Sequence, residues 1–137
     1  MSVKILFVED DEGIAEAIAE SLRLVGIEVT VCGTYVAAVD AVRTLNFDTV
    51  LSDGIFPGAV AHGQPGPYGI GLLVEARKLG KAVLLLSGND ALVQEARALG
   101  IPALTKPVSR EQILEALDRQ TAEESFKTQS KRKGNGG

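Results

Sequence analysis

Reactive side chains follow four of the short aliphatic runs in this sequence. In chain order they are an acidic stretch, a single aspartate, a serine and a lysine: Glu9, Asp10, Asp11, Asp53, Ser87 and Lys106. Clustered carboxylates repel one another unless a cation joins them, and Mg²⁺ prefers a few carboxylates, a carbonyl oxygen and water. An ammonium group and a hydroxyl beside such a metal are suitable donors to a phosphoryl group. The set therefore predicts phosphoryl transfer to an aspartate nucleophile.

The aliphatic runs alternate with segments of helical period, which predicts five βα units. Runs such as VLLL lack polar alternation and are typical of strands buried on both faces. Alternating units predict a parallel sheet covered by helices on both sides, with its functional crevice at the carboxyl ends of the strands. The predicted strands are Val3–Val8, Ile27–Val31, Thr49–Ser52, Ala82–Leu86 and Ile101–Leu104. We therefore expect the reactive side chains to share one edge of the sheet.

Apolar residues at helical spacing predict five helices between and after these strands. Thr34, Asn89 or Asp90, and Ser109 are the predicted N-caps, and glycines 26, 80 and 100 follow helix ends. The predicted buried positions are Ile14, Ile18, Leu22 and Val25, then Val36, Val39, Val42 and Leu45, then Ile70, Leu73 and Val74, then Leu92, Ala96 and Leu99, and finally Ile113, Leu114 and Leu117.

The composition restricts the class of protein and its partners. With 137 residues, 45% of them hydrophobic, the chain has room for one globular domain with an aliphatic core. No apolar run is long enough to span a membrane, and the N-terminus lacks the features of a secretory signal. The single cysteine, Cys32, excludes an internal disulfide and is predicted to be a small buried hydrophobe. These features favour the cytoplasm.

The net charge of −4 is unevenly distributed along the chain. Four of the 14 basic residues lie after residue 126, so the preceding part holds 10 basic and 18 acidic residues. An acidic body lacks the basic face that phosphate backbones require, so we expect neither nucleic-acid nor membrane binding. Apolar periodicity stops near residue 125, which predicts a folded domain over 1–122 and a disordered basic tail over 123–137.

Four spaced motifs resemble the receiver domain of bacterial two-component response regulators. They are ILFVEDDE at 5–12, VLSDGIFPG at 50–58, LLLSG at 84–88 and LTKP at 104–107. The resemblance extends from residue 3 to about residue 120. It implies an α/β flavodoxin-like fold, in which five βα units form a doubly wound five-stranded parallel sheet with strand order 2-1-3-4-5.

The resemblance also implies a role for each motif residue. Asp53 matches the phosphoacceptor, and Glu9 and Asp10 match the acidic pair that binds Mg²⁺ or Mn²⁺ together with Asp53. Ile55 matches the residue whose backbone carbonyl is a further ligand. Ser87 and Lys106 match the hydroxyl and the ammonium that contact the phosphoryl group, and Gly88 matches a small residue that leaves it room. Pro107 matches a proline whose preceding peptide bond is cis in many relatives.

Three positions depart from the family pattern. Glu9 stands where aspartate is common, and Ala103 stands where many relatives have a switching tyrosine or phenylalanine. The acceptor loop is extended by an insertion at about 58–68, which contains the only histidine, His62. We interpret His62 as a solvated loop imidazole, with a metal or catalytic role as the alternative. The insertion itself is predicted to be a lid or partner-facing flap.

The leading hypothesis is a stand-alone phosphoacceptor that is not an enzyme on other substrates. Its partners would be a sensor histidine kinase or histidine phosphotransfer protein and a downstream protein target, contacted through the fourth helix, fifth strand and fifth helix. We expect a monomer or a weak homodimer. One alternative is a receiver-fold interaction module that works without phosphorylation, which Ala103 mildly favours. A phosphohydrolase of the haloacid dehalogenase type is the other, although its nucleophile normally follows the first strand.

Overall fold

Strands and helices alternate along the chain as predicted. The computed structural model describes residues 3–58 and 65–120, which contain all the elements named below. They are, in order, β1 Lys4–Val8, α1 Glu12–Arg23, β2 Glu28–Cys32, α2 Tyr35–Thr44, β3 Thr49–Asp53, β4 Phe56–Pro57, β5 Pro65–Gly66, α3 Gly69–Lys78, β6 Ala82–Ser87, α4 Asp90–Ala98, β7 Ala103–Thr105 and α5 110–120. The predicted strand ends differ from these by at most two residues.

Five strands form a parallel sheet in the order β2-β1-β3-β6-β7. Counting only the strands of this sheet, the order is 2-1-3-4-5, which confirms the predicted doubly wound topology. In the register, Val8 pairs with Ser52, Asp53 with Leu86, and Ser87 with Thr105. The carboxyl ends of β1, β3, β6 and β7 therefore meet at one edge, beside the point where the strand order reverses.

The core lies on both faces of the sheet. Leu6, Val50 and Leu85 pack under α2, α3 and α4, whereas residues such as Phe7 and Leu84 pack under α1 and α5. All five of these side chains are inaccessible to solvent. The unbroken aliphatic runs in the sequence are thus explained, because neither face of a central strand meets water.

The buried faces of the helices match the predicted stripes only in part: Leu22, Val42, Leu73, Ala96 and Ile113 are buried as predicted. Alanines contact the sheet in α1 and α2, at positions 15, 19, 38 and 41. The exposed members of the predicted stripes are Ile14, Val25, Val36, Leu45 and Leu99, which are 41–61% accessible. Val25, Leu45 and Leu99 lie beyond the last residues of their helices. In α1 and α2, small alanine side chains let the helix approach the sheet closely, which leaves the larger Ile14 and Val36 at the rim.

Local hydrogen bonds fix the starts of the helices. Thr34 and Asn89 accept from the backbone N–H groups three residues later, as predicted. Ser109 and Gln112 form a reciprocal capping box at α5, with the Gln112 amide N–H at 3.1 Å from Ser109 Oγ. Asp11 caps α1 by accepting from Ile14. It is therefore a structural residue and not a third member of the reactive acidic set.

A short antiparallel hairpin, β4–β5, was not predicted. Phe56 pairs with Gly66 and Pro57 with Pro65, so the two ends of the insertion run side by side. Residues 59–64, including His62, and the tail from 121 lie outside the described residues, and the predictions made for them stay predictions. In the described residues, no helix has the length and apolar character needed to cross a membrane.

Candidate functional site

The predicted reactive residues meet at the carboxyl edge of the sheet. Glu9 and Asp10 follow β1, Asp53 ends β3, Ser87 ends β6 and Lys106 follows β7. Because these four strands are neighbours in the sheet, residues up to 97 positions apart in sequence come into contact there. An open depression of about 660 Å³ lies over Glu9 and Asp10, with Cys32 and the start of α1 in its walls. Asp10 is exposed to solvent in this depression, whereas Glu9 lines it but is only 3% exposed.

Lys106 joins two carboxylates at the centre of the site. Its Nζ lies 2.9 Å from Glu9 Oε2 and 3.3 Å from Asp53 Oδ2. The second oxygen of each carboxylate accepts a backbone N–H: Asp11 donates to Glu9 Oε1 and Gly54 to Asp53 Oδ1. The peptide bond between Lys106 and Pro107 is cis. The two ion contacts place Lys106 Nζ directly beside Asp53 Oδ2.

Burial raises the pKa of Glu9 above its usual value, and the negative charge of Asp53 adds to this effect. The hydrogen bond from Lys106 acts in the opposite direction without reversing it. Burial alone would lower the pKa of Lys106, but the hydrogen bond to Glu9 and the two nearby carboxylates outweigh it, so that pKa is raised. Lys106 therefore stays an ammonium ion. Burial makes the negative charge of Glu9 unfavourable, so a cation nearby would stabilise it.

Three carboxylates form a group that fits a divalent cation. One oxygen each from Glu9, Asp10 and Asp53 lies within 4.8 Å of the other two. Carboxylate oxygens that lie this close together could ligate one divalent cation such as Mg²⁺, which prefers a few carboxylates together with a carbonyl oxygen and water. Glu9 is buried, Asp53 is partly buried and Asp10 is exposed, which leaves one open side for water or a phosphoryl oxygen.

Ser87 and two glycines shape the space beside Asp53. Ser87 is 2% exposed, and its Oγ accepts from the Asn89 backbone N–H at 3.1 Å. A Cβ placed on Gly54 would lie 3.2 Å from Ser87 Oγ and 2.8 Å from a methyl carbon of Leu92, so the serine borders the acceptor loop. Nothing lies within 4 Å of the corresponding point on Gly88, which leaves open space where the resemblance implies room for the phosphoryl group.

Gly69, the first residue of α3, positions the acceptor loop. Its N–H donates to Gly54 O at 3.1 Å, and a Cβ there would overlap the carbonyl oxygen of Asp53. The start of α3 thus presses against the backbone of the acceptor loop. Ile55, the predicted carbonyl ligand, lies in this loop with its side chain 40% exposed. The useful sequence clue was a glycine at the first position of a helix, where it is otherwise unfavourable.

Cys32 and Ala103 are the two other residues that the sequence singled out, and neither supplies a reactive side chain to the site in the described part of the chain. Burial raises the pKa of the Cys32 thiol to about 11, so it is poorly suited to act as a nucleophile. Ala103 is 6% exposed, and its carbonyl accepts from Arg97 at 3.0 Å. A buried alanine methyl group therefore stands where many relatives have the switching ring.

Residues 5–118 match the sequence profile of the response regulator receiver domain family. The match covers most of the chain, which therefore belongs to this family of two-component signalling domains. The response regulator protein FleR of Pseudomonas aeruginosa is 30% identical over 122 residues, which are 87% of this chain and 24% of that protein. The probable transcriptional regulatory protein TcrX of Mycobacterium tuberculosis is 33% identical over 129 residues, 87% of this chain and 51% of that protein. The chain thus spans a quarter to a half of these relatives.

Solved structures agree with the family assignment. The receiver domain of Francisella response regulator 1452 is 27% identical, with a TM-score of 0.68 over 85% of this chain and 93% of that one. A CheY-like receiver domain protein from Methanospirillum hungatei JF-1 has a TM-score of 0.75 at 23% identity, covering 93% and 99% of the two chains. The second likeness, at its low identity, supports the fold alone.

Proposed function

We propose that this receiver domain is a phosphoacceptor switch that takes a phosphoryl group on Asp53. The observation that carries the proposal is the pair of ion contacts that Lys106 makes to Glu9 and Asp53 at the carboxyl edge of the sheet. A buried acidic group with a lysine at its centre is costly for stability alone, and it matches what an aspartyl phosphate requires.

In the proposed reaction, an oxygen of Asp53 attacks the phosphorus of a phosphohistidine in line with the breaking bond. The new oxygen–phosphorus bond forms as the phosphorus–nitrogen bond breaks, and the imidazole leaves with its bonding electrons and takes up a proton. Lys106 is close enough to Asp53 to pair with an oxygen of the transferred group. Ser87 would turn its hydroxyl from the Asn89 amide toward another of those oxygens.

Glu9, Asp10, Asp53 and the carbonyl of Ile55 are the residues that would hold Mg²⁺, with Mn²⁺ as a substitute. When bound, the ion would neutralise charge on the phosphoryl oxygens. Asp10 would offer the ion an exposed carboxylate and Glu9 a buried one, which Lys106 contacts in this structure. Lys106 also lies 3.3 Å from Asp53, close enough to pair with the transferred group.

Acetyl phosphate labelling tests the proposal directly. Wild-type protein with Mg²⁺ should gain the mass of one phosphoryl group in intact mass spectrometry, and EDTA should abolish the gain. Asp53→Asn removes the nucleophile and should not be labelled. Asp40→Asn is the matched control, since Asp40 is an exposed carboxylate on α2 and its loss should leave the label unchanged. Label on Asp53→Asn would show that the acceptor is another residue.

The same proposal defines the classes of partner that the domain would have. The phosphodonor would be a sensor histidine kinase or a histidine phosphotransfer protein, and the phosphorylated form would bind a downstream protein. The domain would catalyse only its own phosphorylation and dephosphorylation, so p-nitrophenyl phosphate should not be turned over. The stand-alone state, the cytoplasmic location and the monomeric or weakly dimeric state stay predictions of the sequence.

Ala103 favours one second candidate, a receiver fold that signals without phosphorylation. The alanine removes the ring whose burial accompanies switching in many relatives. Under this alternative, the folded wild-type protein would take no label from acetyl phosphate or from a cognate kinase, yet it would still bind its target. The labelling experiment therefore separates the two functions.

A further inference from the structure

We infer that the insertion hairpin and a pair of stacked tyrosines couple the acceptor loop to the N-terminal end of α2. This inference rests on the proposed function, because phosphorylation of Asp53 is the event that the coupling would transmit. It concerns residues 56–58 and 65–68 of the hairpin, together with Tyr35 and Val36 of α2.

The first link is covalent. The carbonyl of Ile55, a proposed metal ligand, and the N–H of Phe56 belong to the same rigid peptide plane. Phe56 is the first residue of β4, and its side chain is completely buried. Any change in the direction of the Ile55 carbonyl therefore turns the N–H of Phe56, at the start of the hairpin, together with it.

The second link is a cluster of aromatic rings. The ring centroid of Tyr68 lies 6.1 Å from that of Phe56 and 5.1 Å from that of Tyr35, on which it stacks. Glycine backbone makes room for this arrangement. A Cβ on Gly66 would lie 2.7 Å from the Tyr68 ring, and one on Gly58 would lie 3.3 Å from its hydroxyl. The hairpin thus holds Tyr68 in one position.

The third link joins the hairpin to α2 through the backbone. The Val36 N–H, in the first turn of α2, donates to Gly58 O at 3.0 Å. Tyr68 is also the N-cap of α3, whose Gly69 donates to Gly54 beside the acceptor. The acceptor loop is therefore joined covalently to the hairpin at Phe56 and hydrogen-bonded through Gly54 to the first residue of α3. Both connections lead to the stacked rings of Tyr68 and Tyr35.

This path through the hairpin would take the place of the switching aromatic ring that many relatives have at the position of Ala103. The sequence predicted output through the fourth helix, fifth strand and fifth helix, but that face has no ring to move. The α2 end has three rings, and Val36 is 61% exposed there. The surface that responds to phosphorylation would then lie at the N-terminal end of α2, on the opposite side of the acceptor loop.

The chain supplies its own probe for this test. It has two tyrosines and no tryptophan, so tyrosine emission reports on the stack alone. Adding acetyl phosphate and Mg²⁺ should change that emission in the wild type and leave it unchanged in Asp53→Asn. Amide NMR should show shifts at Val36 as well as at Gly54 and Ser87, and smaller shifts at Thr105.

A matched pair of variants isolates the stack. Tyr35→Phe keeps the ring and Tyr35→Leu removes it, and each leaves Tyr68 as the sole emitter. The phosphorylation-dependent shift at Val36 should persist in Tyr35→Phe and fall to less than about half in Tyr35→Leu, while Gly54 and Ser87 respond in both. Gly66→Ala, which crowds Tyr68 from the other side, should have the same effect as Tyr35→Leu and is the second variant if that one fails to fold.

Each outcome has a definite meaning. Shifts at Gly54 and Thr105 with none at Val36 would overturn the inference while leaving the proposed function intact. An undiminished Val36 shift in both Tyr35→Leu and Gly66→Ala would overturn it as well. If the wild type shows no label and no shift at Gly54 or Ser87, the proposed function is wrong and this inference is wrong with it.

Discussion

Glu9 carries one methylene more than the aspartate common at its position, and that length determines which groups it reaches. One carboxylate oxygen contacts Lys106 and the other accepts from the Asp11 backbone N–H. An aspartate would draw the carboxylate back by about 1.5 Å, the length of one carbon–carbon bond. Both contacts of the buried carboxylate therefore depend on the glutamate.

Lys106→Met should reduce the free energy of unfolding of the metal-free protein by about 1–2 kcal/mol at pH 8, because it leaves two carboxylates without their cation. The loss should be smaller at pH 5. The pKa of Glu9 is already raised by burial, and without the opposing hydrogen bond from Lys106 it rises further. The variant then gains stability as pH falls toward this pKa, because its folded state takes up a proton.

Denaturant unfolding in EDTA at the two pH values measures this effect. Lys78→Met is the matched control, since Lys78 is an exposed lysine in the last turn of α3. It should change the free energy of unfolding by no more than about 0.5 kcal/mol at either pH. An equal loss for Lys106→Met at pH 5 and pH 8 would contradict the electrostatic explanation.

At the scale of single elements, α3 contains two glycines with different surroundings. Gly69 faces the backbone of Asp53 and Gly54, whereas nothing lies within 4 Å of the Cβ position of Gly71. Gly69→Ala should therefore destabilise the protein by about 2 kcal/mol or more, since backbone must move to admit the methyl group. Gly71→Ala should stabilise it by up to about 1 kcal/mol, through helix propensity.

Thermal and denaturant unfolding of the two variants provide the measurement, and each serves as the control for the other. The Gly69 variant should also show altered amide shifts at Gly54, because its N–H donates to that carbonyl. Similar stability for both variants would mean that α3 can move away from the acceptor loop without cost.

The elements also show how far the sequence was informative. The strands and the caps Thr34, Asn89 and Ser109 were predictable because they depend on local chemistry and on strict βα alternation, whereas the sheet order was implied by the family resemblance. The buried helix faces were predicted only in part. Leu22, Leu73 and Ile113 are buried as predicted, whereas Val36 lies at the rim, because the alanines beside it allow closer packing, and only the assembled sheet determines that distance.

The candidate site, too, was predictable from the sequence only in part. Glu9, Asp10, Asp53, Ser87 and Lys106 could be grouped from the sequence, since each stands at the end of a strand and the sheet order brings these ends together. The aromatic cluster of Phe56, Tyr68 and Tyr35 could not. Its hairpin has two-residue strands of Phe-Pro and Pro-Gly, which lack any alternating pattern. Its partner Tyr35 lies 33 positions from Tyr68 and is joined to it only by the fold.

At the scale of the whole molecule, the last described residue of α5 completes the sheet. The side-chain amide of Gln120 accepts from Val83 N at 3.0 Å and donates to Val83 O at 2.7 Å. The short strand β7 begins opposite Leu85 and so does not reach Val83. A glutamine side chain therefore takes the place of a missing strand residue at the edge of β6.

Gln120→Ala should lower the free energy of unfolding by about 1–3 kcal/mol, because it leaves two polar groups of the β6 backbone without partners. Gln94→Ala on α4 is the matched control, since Gln94 is exposed, and it should have an effect below about 0.5 kcal/mol. Hydrogen exchange at the Val83 amide should accelerate only in the Gln120 variant. Unchanged protection at Val83 would show that water substitutes fully for the side chain.

The pairing of Pro57 with Pro65 has a consequence for protein engineering. Because the two strands of the hairpin run antiparallel, Pro57 and Pro65 lie side by side. The entropy of closing a loop grows only slowly with its length, so a longer or shorter segment can be spliced between these prolines at little thermodynamic cost. The Pro57–Pro65 pair is thus a suitable insertion point for grafted sequences, four residues along the chain from the acceptor Asp53.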